Sequence, residues 1–178
     1  MLFRSRGLQL DTEVLDLAVL LDDSAADARA VQPERSITVI TSRPLHAAID
    51  SDRMRQVLAA LVHNALQHTP VESAIEIRAT HTGSSIVVDI ADHGPGMDEH
   101  TAARAFERFF RGDQSRTRQS GGSGLGLAIA QSIVQAHGGT LGLTTSVEHG
   151  STFRITLPAS PDLGLDLAGN RDNSAPEA

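Results

Sequence analysis

The chain has 178 residues, a formal net charge of −7 at pH 7, 40% hydrophobic residues and 21% charged residues. This is the length and composition of one globular domain with enough apolar material for a core. The acidic balance and the 3% aromatic content argue against nucleic-acid binding, and the absence of cysteine excludes disulfide scaffolds and thiolate metal sites. No apolar run approaches the ~20 residues that span a bilayer, and residues 1–10 lack the apolar stretch of a signal peptide, so we expect a cytoplasmic protein.

The first half of the chain predicts two helices and four strands. Apolar residues recur with helical spacing over residues 16–31, where Asp16 can cap the start of a helix. Two extended runs, 36–40 and 45–49, flank a turn-forming segment and predict neighbouring strands. A second amphipathic helix follows the capping residues 50–52 and ends at Thr69 and Pro70. Alternating residues on either side of 82–84 then predict a β-hairpin.

The second half predicts a loop, a helix, a hairpin and a tail. Residues 94–124 are rich in Gly and Arg apart from an apolar patch at 106–110, which is typical of a mobile loop. A largely apolar helix over 125–137 and a closing hairpin from 140 to 157 follow. We therefore expect an N-terminal helix and first strands in 1–49, a core in 50–158 and a flexible tail in 159–178.

Asn64 is the first candidate site residue. It lies at the edge of the apolar stripe of the second helix, in a row with Ala60 and His68, one turn away on either side. A carboxamide oxygen is a suitable Mg²⁺ ligand when phosphates and waters complete the octahedron. A lone Asn on a helix, however, more often hydrogen-bonds to water or backbone.

The second candidate is the sequence DHGPG at 92–96, where a buried strand ends. An ionised Asp92 can accept a hydrogen bond from an exocyclic amine such as that of adenine, whereas a guanine carbonyl would meet it acceptor against acceptor. Gly94 and Gly96 would let the backbone approach a flat ligand closely. The same residue types also form an ordinary turn, so the motif alone leaves both interpretations open.

The third candidate is GGSGLGL at 121–127, which opens the third predicted helix. Glycines at a helix N-terminus bring unpaired N–H groups and the positive helix end against phosphates. The segment lacks the Gly-Lys-Ser/Thr of a Walker loop, and no strand leads into it as in a dinucleotide-binding fingerprint. Taken alone, it is equally consistent with a flexible linker that enters a helix.

The order of these motifs resembles that of bacterial sensor histidine kinases. Residues 64–70 (NALQHTP) resemble their N box, 92–96 their G1 box, 106–111 (FERFFR) their F box and 122–127 (GSGLGL) their G2 box. The resemblance extends from about Leu8 to Pro158. It implies the Bergerat ATP-binding fold, an α+β two-layer sandwich in which about three helices pack on one face of a mixed, mostly antiparallel sheet. It also implies an ATP lid between the G1 and G2 boxes.

The resemblance implies ATP and Mg²⁺ as cofactors and assigns roles by position. Asn64 would be the Mg²⁺ ligand, and Arg111 would approach the terminal phosphate, which makes these two the expected catalytic residues. Asp92 would bind adenine beside His68, and Gly94 and Gly96 would form the floor of the base pocket. The residues expected at the phosphates are Gly122, Gly124, Leu125, Gly126 and Leu127. Phe106, Phe109 and Phe110 are expected to pack the lid against the domain.

Two positions depart from the family pattern. Ala60 stands where many of these kinases have a first Asn, and Gln67 stands where a Lys often holds phosphate, so reduced ATP affinity is expected. In the gyrase, chaperone, mismatch-repair and anti-sigma-factor members of this fold, position 60 usually carries a Glu that acts as base. Alanine cannot take a proton, so activation of water by that route is not expected.

None of the eight histidines is followed by the acidic residue, Arg and Pro that mark the family's phosphoacceptor. We therefore expect the acceptor on a separate dimerisation protein of a split kinase, which passes phosphate on to a response regulator. A fragment of a longer kinase would perform the same chemistry. A third interpretation is a nucleotide-binding regulatory module, anti-sigma-type or catalytically weak, that acts by partner binding.

Overall fold

The computed structural model of the protein describes residues 8–110 and 123–160. The described residues form seven strands and four helices. In chain order these are β1 (Glu13–Asp16), α1 (Leu17–Val31), β2 (Ile37–Thr41), β3 (His46–Ile49), α2 (Ser51–His68), β4 (Ile75–Thr82), β5 (Ser85–Asp92), α3 (Glu99–Ala103), α4 (Gly126–Ala136), β6 (Thr140–Thr145) and β7 (Ser151–Pro158). Within the described ranges, no helix is both long and apolar enough to cross a membrane.

Five strands form the main sheet, in the order β2-β4-β5-β7-β6. The strands β2 and β4 run parallel, and the other three pairs are antiparallel. The strands β1 and β3 form a separate antiparallel pair. The mixed, mostly antiparallel sheet that we expected is therefore confirmed.

The sheet has one buried and one open face because its side chains alternate along each strand. On β4, Ile77 is fully buried while Arg78 is exposed, and on β7, Phe153 is buried while Arg154 is exposed. Helices α1, α2 and α4 supply the second layer: α2 packs between α1 and α4, α1 contacts β2 and β4, and α4 contacts β6. This arrangement is the expected two-layer α+β sandwich.

Helix α2 forms where the sequence predicts it and carries the first candidate residue. The Asp50 side chain caps its start, with Oδ1 accepting a hydrogen bond from the Arg53 backbone N–H at 3.0 Å. Residues at three-and-four spacing, from Met54 to Leu66, form its buried face. The helix ends at Thr69, whose extended backbone precedes Pro70.

One detail of the predicted topology was wrong, and two short elements were not predicted. The runs 36–40 and 45–49 are not neighbouring strands, because β2 pairs with β4 and β3 pairs with β1. The four residues of β1 carry no recognisable strand pattern and were not predicted. Helix α3, capped by Asp98, lies inside the segment 94–124 that was predicted as a loop. It was missed because five residues are too few to show helical periodicity.

The other predicted elements are confirmed. Helix α1 begins after Asp16, whose Oδ1 accepts from the Ala18 N–H at 3.0 Å. The β4–β5 and β6–β7 hairpins and helix α4 also form. At the start of the expected tail, the N–H groups of Ala159 and Ser160 donate to the carbonyls of Ser84 and His46. The rest of that tail, 161–178, lies outside the described residues.

Candidate nucleotide-binding site

Asp92 ends β5 with only 5% of its surface exposed. Its Oδ1 accepts hydrogen bonds from the backbone N–H groups of Gly94 at 3.0 Å and Ser151 at 3.3 Å. Burial raises the pKa of the Asp92 carboxyl above its ordinary value, while these two bonds and the charge of Arg35 act in the opposite direction. Within the described ranges, Oδ2 accepts no hydrogen bond, and every fully buried side-chain N or O has a partner. Oδ2 is therefore the oxygen of Asp92 that has no partner among the described residues and that we expect to meet a ligand.

The glycines that follow Asp92 are confined by protein atoms. A Cβ on Gly94 would overlap the Thr69 side chain, which lies against this backbone. Gly96 has a φ of +68°, and a Cβ there would overlap the carbonyl oxygen of Ser146. The expected approach of a flat ligand to these glycines stays a prediction, since protein packing alone already requires both residues.

The turn between β6 and β7 holds this loop in place, which the sequence analysis missed. The Glu148 N–H donates to the Pro95 carbonyl at 2.7 Å, and the Met97 N–H donates to Thr145 Oγ1 at 3.0 Å. Gly150, with a φ of +78°, lies so close to the Asp92 carbonyl oxygen that a Cβ would overlap it. In the sequence, this contact was indicated only by Gly150, which lies between the two strands of the predicted closing hairpin.

Helix α2 places Asn64 and His68 along one flank, as its spacing predicts. Asn64 is half-buried, and its carboxamide forms no hydrogen bond to the described residues; His68 is exposed. One turn before Asn64, Ala60 faces α4, where a Cβ on Gly126 would lie 3.8 Å from the Ala60 Cβ. The small residues at 60 and 126 therefore let α2 approach the start of α4 closely.

Helix α4 begins without a side-chain cap. Leu125 occupies the N-cap position and forms no capping hydrogen bond, and the first turn contains no acidic residue. Gly124, with a φ of +70°, accepts a hydrogen bond from the Phe109 N–H at 2.9 Å through its carbonyl. Among the described residues, no side chain therefore caps the first amide groups of α4, such as those of Gly126 and Leu127, and uncapped N–H groups of this kind can bind an anion.

The predicted lid is only partly described. Arg111 and Gly122, two of the expected site residues, lie outside the described residues. Phe106 packs edge-on against Phe153, with ring centroids 6.4 Å apart, which agrees with its expected structural role. Phe109 is 71% exposed, so the expectation that it packs against the domain was wrong. Its backbone is left-handed, with a φ of +64°.

No cluster of three or more His, Asp or Glu side chains that could hold a metal occurs in the described part of the chain. A Mg²⁺ ion at Asn64 would therefore take most of its ligands from nucleotide phosphates and water, which suits the chemistry of this ion. A separate groove of about 270 Å³ lies between α1 and α2 and is lined by residues such as Leu20, Val31 and Val62. None of the predicted site residues lines this groove.

Comparisons with known proteins identify the family of the chain. Residues 49–161, more than half of the chain, match the family model described as histidine kinase-, DNA gyrase B-, and HSP90-like ATPase. The chain is 33% identical over 153 residues to the probable sensor histidine kinase TcrY of Mycobacterium tuberculosis, covering 85% of this chain and 32% of TcrY. It thus spans about a third of the length of the curated relatives it matches.

Solved structures of histidine kinases share the fold of this chain, and MprB and ShkA are two of them. The mycobacterial sensor histidine kinase MprB is 28% identical and superposes with a TM-score of 0.76, over 84% of this chain and 99% of that chain. Full-length ShkA in complex with AMPPNP is 26% identical, with a TM-score of 0.74 over 86% of this chain and 32% of ShkA. The likeness thus covers more than four fifths of this chain but only about a third of the longer ShkA chain.

Proposed function

Because the chain belongs to the histidine kinase-, DNA gyrase B- and HSP90-like ATPase family, as the ATP-binding catalytic domain of a sensor histidine kinase, we propose that it transfers the ATP γ-phosphoryl group to a histidine supplied in trans. The acceptor would reside on a separate dimerisation protein or on another part of a longer kinase. The acceptor would then pass the phosphoryl group to a response regulator.

One observation carries the proposal: α2 contacts both ends of the candidate site. Its Ala60 faces Gly126 at the start of α4, and Thr69, directly after the helix, lies against Gly94 in the loop that follows Asp92. Asn64 and His68 lie between those two contacts. A nucleotide with its base at Asp92 and its phosphates at α4 would therefore place the phosphates beside Asn64.

The binding roles follow from the groups available. Asp92 Oδ2 would accept a hydrogen bond from the adenine amine, and guanine would be rejected because it presents a carbonyl there. The uncapped N–H groups of α4 would hold phosphate oxygens. Asn64 would hold Mg²⁺, which neutralises phosphate charge when bound. Arg111 would add positive charge at the terminal phosphate.

The transfer itself is an in-line substitution at phosphorus. A bond forms from an imidazole nitrogen of the acceptor to the γ-phosphorus while the bond to the bridging oxygen breaks, and ADP leaves with the electron pair. The attacking nitrogen is the unprotonated one of a neutral imidazole, and the proton on the other ring nitrogen leaves to solvent after the transfer. Since Ala60 cannot activate water, ATP turnover without the acceptor should be slow, and docking of the acceptor should govern the rate.

A nucleotide-binding regulatory module is the second candidate function. The departures at Ala60 and Gln67 favour it, because many of these kinases have an Asn at the first position and a Lys that helps hold phosphate at the second. Such a module would bind ATP and a partner without passing on the γ-phosphoryl group. ATP binding without transfer would select it over the kinase.

The test compares Asp92→Asn with the control variant Asp89→Asn. Asp89 lies on the same strand as Asp92, but its side chain is on the other face of the sheet and pairs with Arg154. Each variant is titrated with ATP and then incubated with γ-labelled ATP, Mg²⁺ and candidate histidine-phosphoacceptor proteins from the same organism. We expect Asp92→Asn to lose ATP binding and transfer at least tenfold, since a buried charged acceptor is lost. Asp89→Asn should keep both. Unchanged ATP affinity in Asp92→Asn would refute the pocket.

A further inference from the structure

Arg35, between α1 and β2, is buried to 3% exposure and is not one of the expected site residues. Burying a guanidinium is costly unless its N–H groups find acceptors. Here most acceptors belong to the segment 66–73, which runs from the last residues of α2 towards β4. The Arg35 Nε–H donates to the Ser73 carbonyl at 2.9 Å. Nη1 donates to Gln32 Oε1 at 2.9 Å and to the Leu66 carbonyl at 3.4 Å. Nη2 donates to Thr69 Oγ1 and to the Pro70 carbonyl, the latter at 2.7 Å.

The segment that Arg35 holds leads directly to the candidate site. Thr69 donates its own hydroxyl proton to the Ala65 carbonyl at 2.7 Å, which fixes the side chain at the end of α2. The methyl of Thr69 fills the space beside Gly94. The Gly94 N–H in turn donates to Asp92 Oδ1. A continuous chain of contacts therefore runs from Arg35 through Thr69 and Gly94 to Asp92.

Arg35 also acts on Asp92 through its charge. Burial raises the pKa of the Asp92 carboxyl, and the attraction of Arg35 opposes that rise. The other ionisable groups nearby are His93, which attracts Asp92 weakly, and Glu72, which attracts Arg35. Because ATP binding as proposed needs an ionised Asp92, anything that weakens this attraction should weaken binding first at low pH.

We propose that Arg35 is a positioning residue of the nucleotide site, which clamps segment 66–73 against Gly94 and keeps Asp92 a charged acceptor for the adenine amine. This inference rests on the proposed function, in which Asp92 binds the base. It adds a residue from outside the nucleotide pocket that controls both the shape and the charge of the site.

The experiment compares Arg35→Met, which removes charge and donors, with Arg35→Lys, which keeps the charge but not the fork of donors. Arg29→Met is the matched control: Arg29 also donates to a backbone carbonyl, that of Ile37 at 2.7 Å, but it forms no bond to segment 66–73 or to Asp92. The Kd for Mg²⁺-ATP is measured from pH 5 to pH 8 for each protein. Thermal unfolding without nucleotide verifies that each variant folds.

We expect Arg35→Met to bind ATP roughly tenfold more weakly at low pH, with the loss shrinking as pH rises. Because the positive charge of Arg35 lowers the pKa of Asp92, its removal raises that pKa. The acid midpoint of ATP binding therefore moves to higher pH. Arg35→Lys should bind more weakly at every pH with its acid midpoint near that of the unchanged protein. The Kd of Arg29→Met should match that of the wild-type protein at every pH. Because titration of the nucleotide phosphates affects every protein in the same way, it cancels in the comparison.

A folded Arg35→Met whose acid midpoint does not move would overturn the proposal, because a purely structural role lowers affinity equally at all pH values. Should Arg35→Met not fold, Arg35→Gln replaces it, because it also removes the charge but keeps a donor group: an acid midpoint at higher pH supports the proposal, and an unmoved midpoint overturns it. Failure of the proposed nucleotide site looks different, since the wild-type protein would then bind no ATP at any pH; failure of phosphoryl transfer alone leaves these titrations unaffected.

Discussion

Gly96 and Gly83 share a left-handed backbone but differ in their surroundings. Gly96 has a φ of +68° and touches the Ser146 carbonyl, whereas Gly83 has a φ of +61° and nothing within 4 Å of its Cβ position. We expect Gly83→Ala to lower the free energy of unfolding by about 1 kcal/mol, which is the backbone cost alone. Gly96→Ala should cost about 3 kcal/mol or more, because the loop must also move away from Ser146. Urea denaturation measures both.

ATP titration of the same two variants separates stability from the site. Gly96→Ala should lose affinity because the loop that it distorts begins at Asp92, while Gly83→Ala, in the β4–β5 turn, should keep it. Equal losses of stability in the two variants would contradict the role given to the Ser146 contact.

At the level of single residues, the sequence pointed to a candidate motif but not to the residues that surround it. Asp92, Gly94 and Gly96 were predicted from a short motif, yet the two glycines are required by Thr69 and Ser146, which are remote in sequence. Arg35 could not be predicted at all. A single arginine before a strand has no periodicity, and its partners become neighbours only when the α2–β4 segment folds against it.

At the level of elements, Asp50 joins three parts of the chain. Its carboxylate accepts from the N–H of Arg53 at the start of α2 and from the N–H of Asp11 before β1, each at 3.0 Å. Its own N–H donates to His137 Nε2 at the end of α4, also at 3.0 Å. The two helices proposed to flank the nucleotide are therefore tied together at the ends away from Asn64.

These contacts predict a pH dependence. The backbone hydrogen bonds from Arg53 and Asp11 hold the pKa of Asp50 below its ordinary value. Its contribution to stability is therefore complete above the pKa of an unfolded aspartate, about 3.9, and is lost as pH falls through the lower folded value. Asp50→Ala should lower the Tm by a few degrees at pH 7, and this difference should vanish in acid.

Asp52→Ala is the control, because this neighbouring aspartate is exposed and accepts no hydrogen bond from the described residues. It should change the Tm less than Asp50→Ala at pH 7. Calorimetry at several pH values between 3 and 7 measures both variants. A Tm loss in Asp50→Ala that persists unchanged at pH 3 would argue against the carboxylate as its cause.

Elements with a strong local pattern were predicted correctly, and elements defined by remote pairing were not. Helix α2 has an N-cap and a continuous apolar stripe, and both appear in the structure. The partners of β2 and β3 could not be inferred, because a short strand next to a turn does not reveal whether it pairs with its neighbour. Pairing of β2 with β4 instead requires α2 to lie between them in sequence, as a crossover.

For the molecule as a whole, the proposed nucleotide would contact β5 through Asp92, α2 through Asn64 and the start of α4. These elements belong to both layers of the sandwich, and α2 and α4 pack directly on each other. A ligand held by all three would lose its site whenever either layer opens. Nucleotide binding should therefore stabilise the whole domain rather than one loop.

This linkage gives a prediction that needs no partner protein. At about 100 times its Kd, a ligand that binds only the folded state adds about 2.7 kcal/mol of stability. For a chain of this size, that corresponds to a Tm rise of roughly 5–10 °C. Mg²⁺-ATP should produce this rise, and chelation of Mg²⁺ should reduce it, since Asn64 would lose the ion that links it to the phosphates.

GTP under the same conditions should shift the Tm little, because its carbonyl would face the carboxylate of Asp92 as acceptor against acceptor. Asp92→Asn should remove most of the ATP-dependent rise in Tm, although the variant should still unfold cooperatively in the absence of nucleotide. Differential scanning fluorimetry of the two nucleotides on the two proteins is the measurement. An equal rise with GTP and ATP would show that the phosphates alone provide the binding energy and that Asp92 does not select the base.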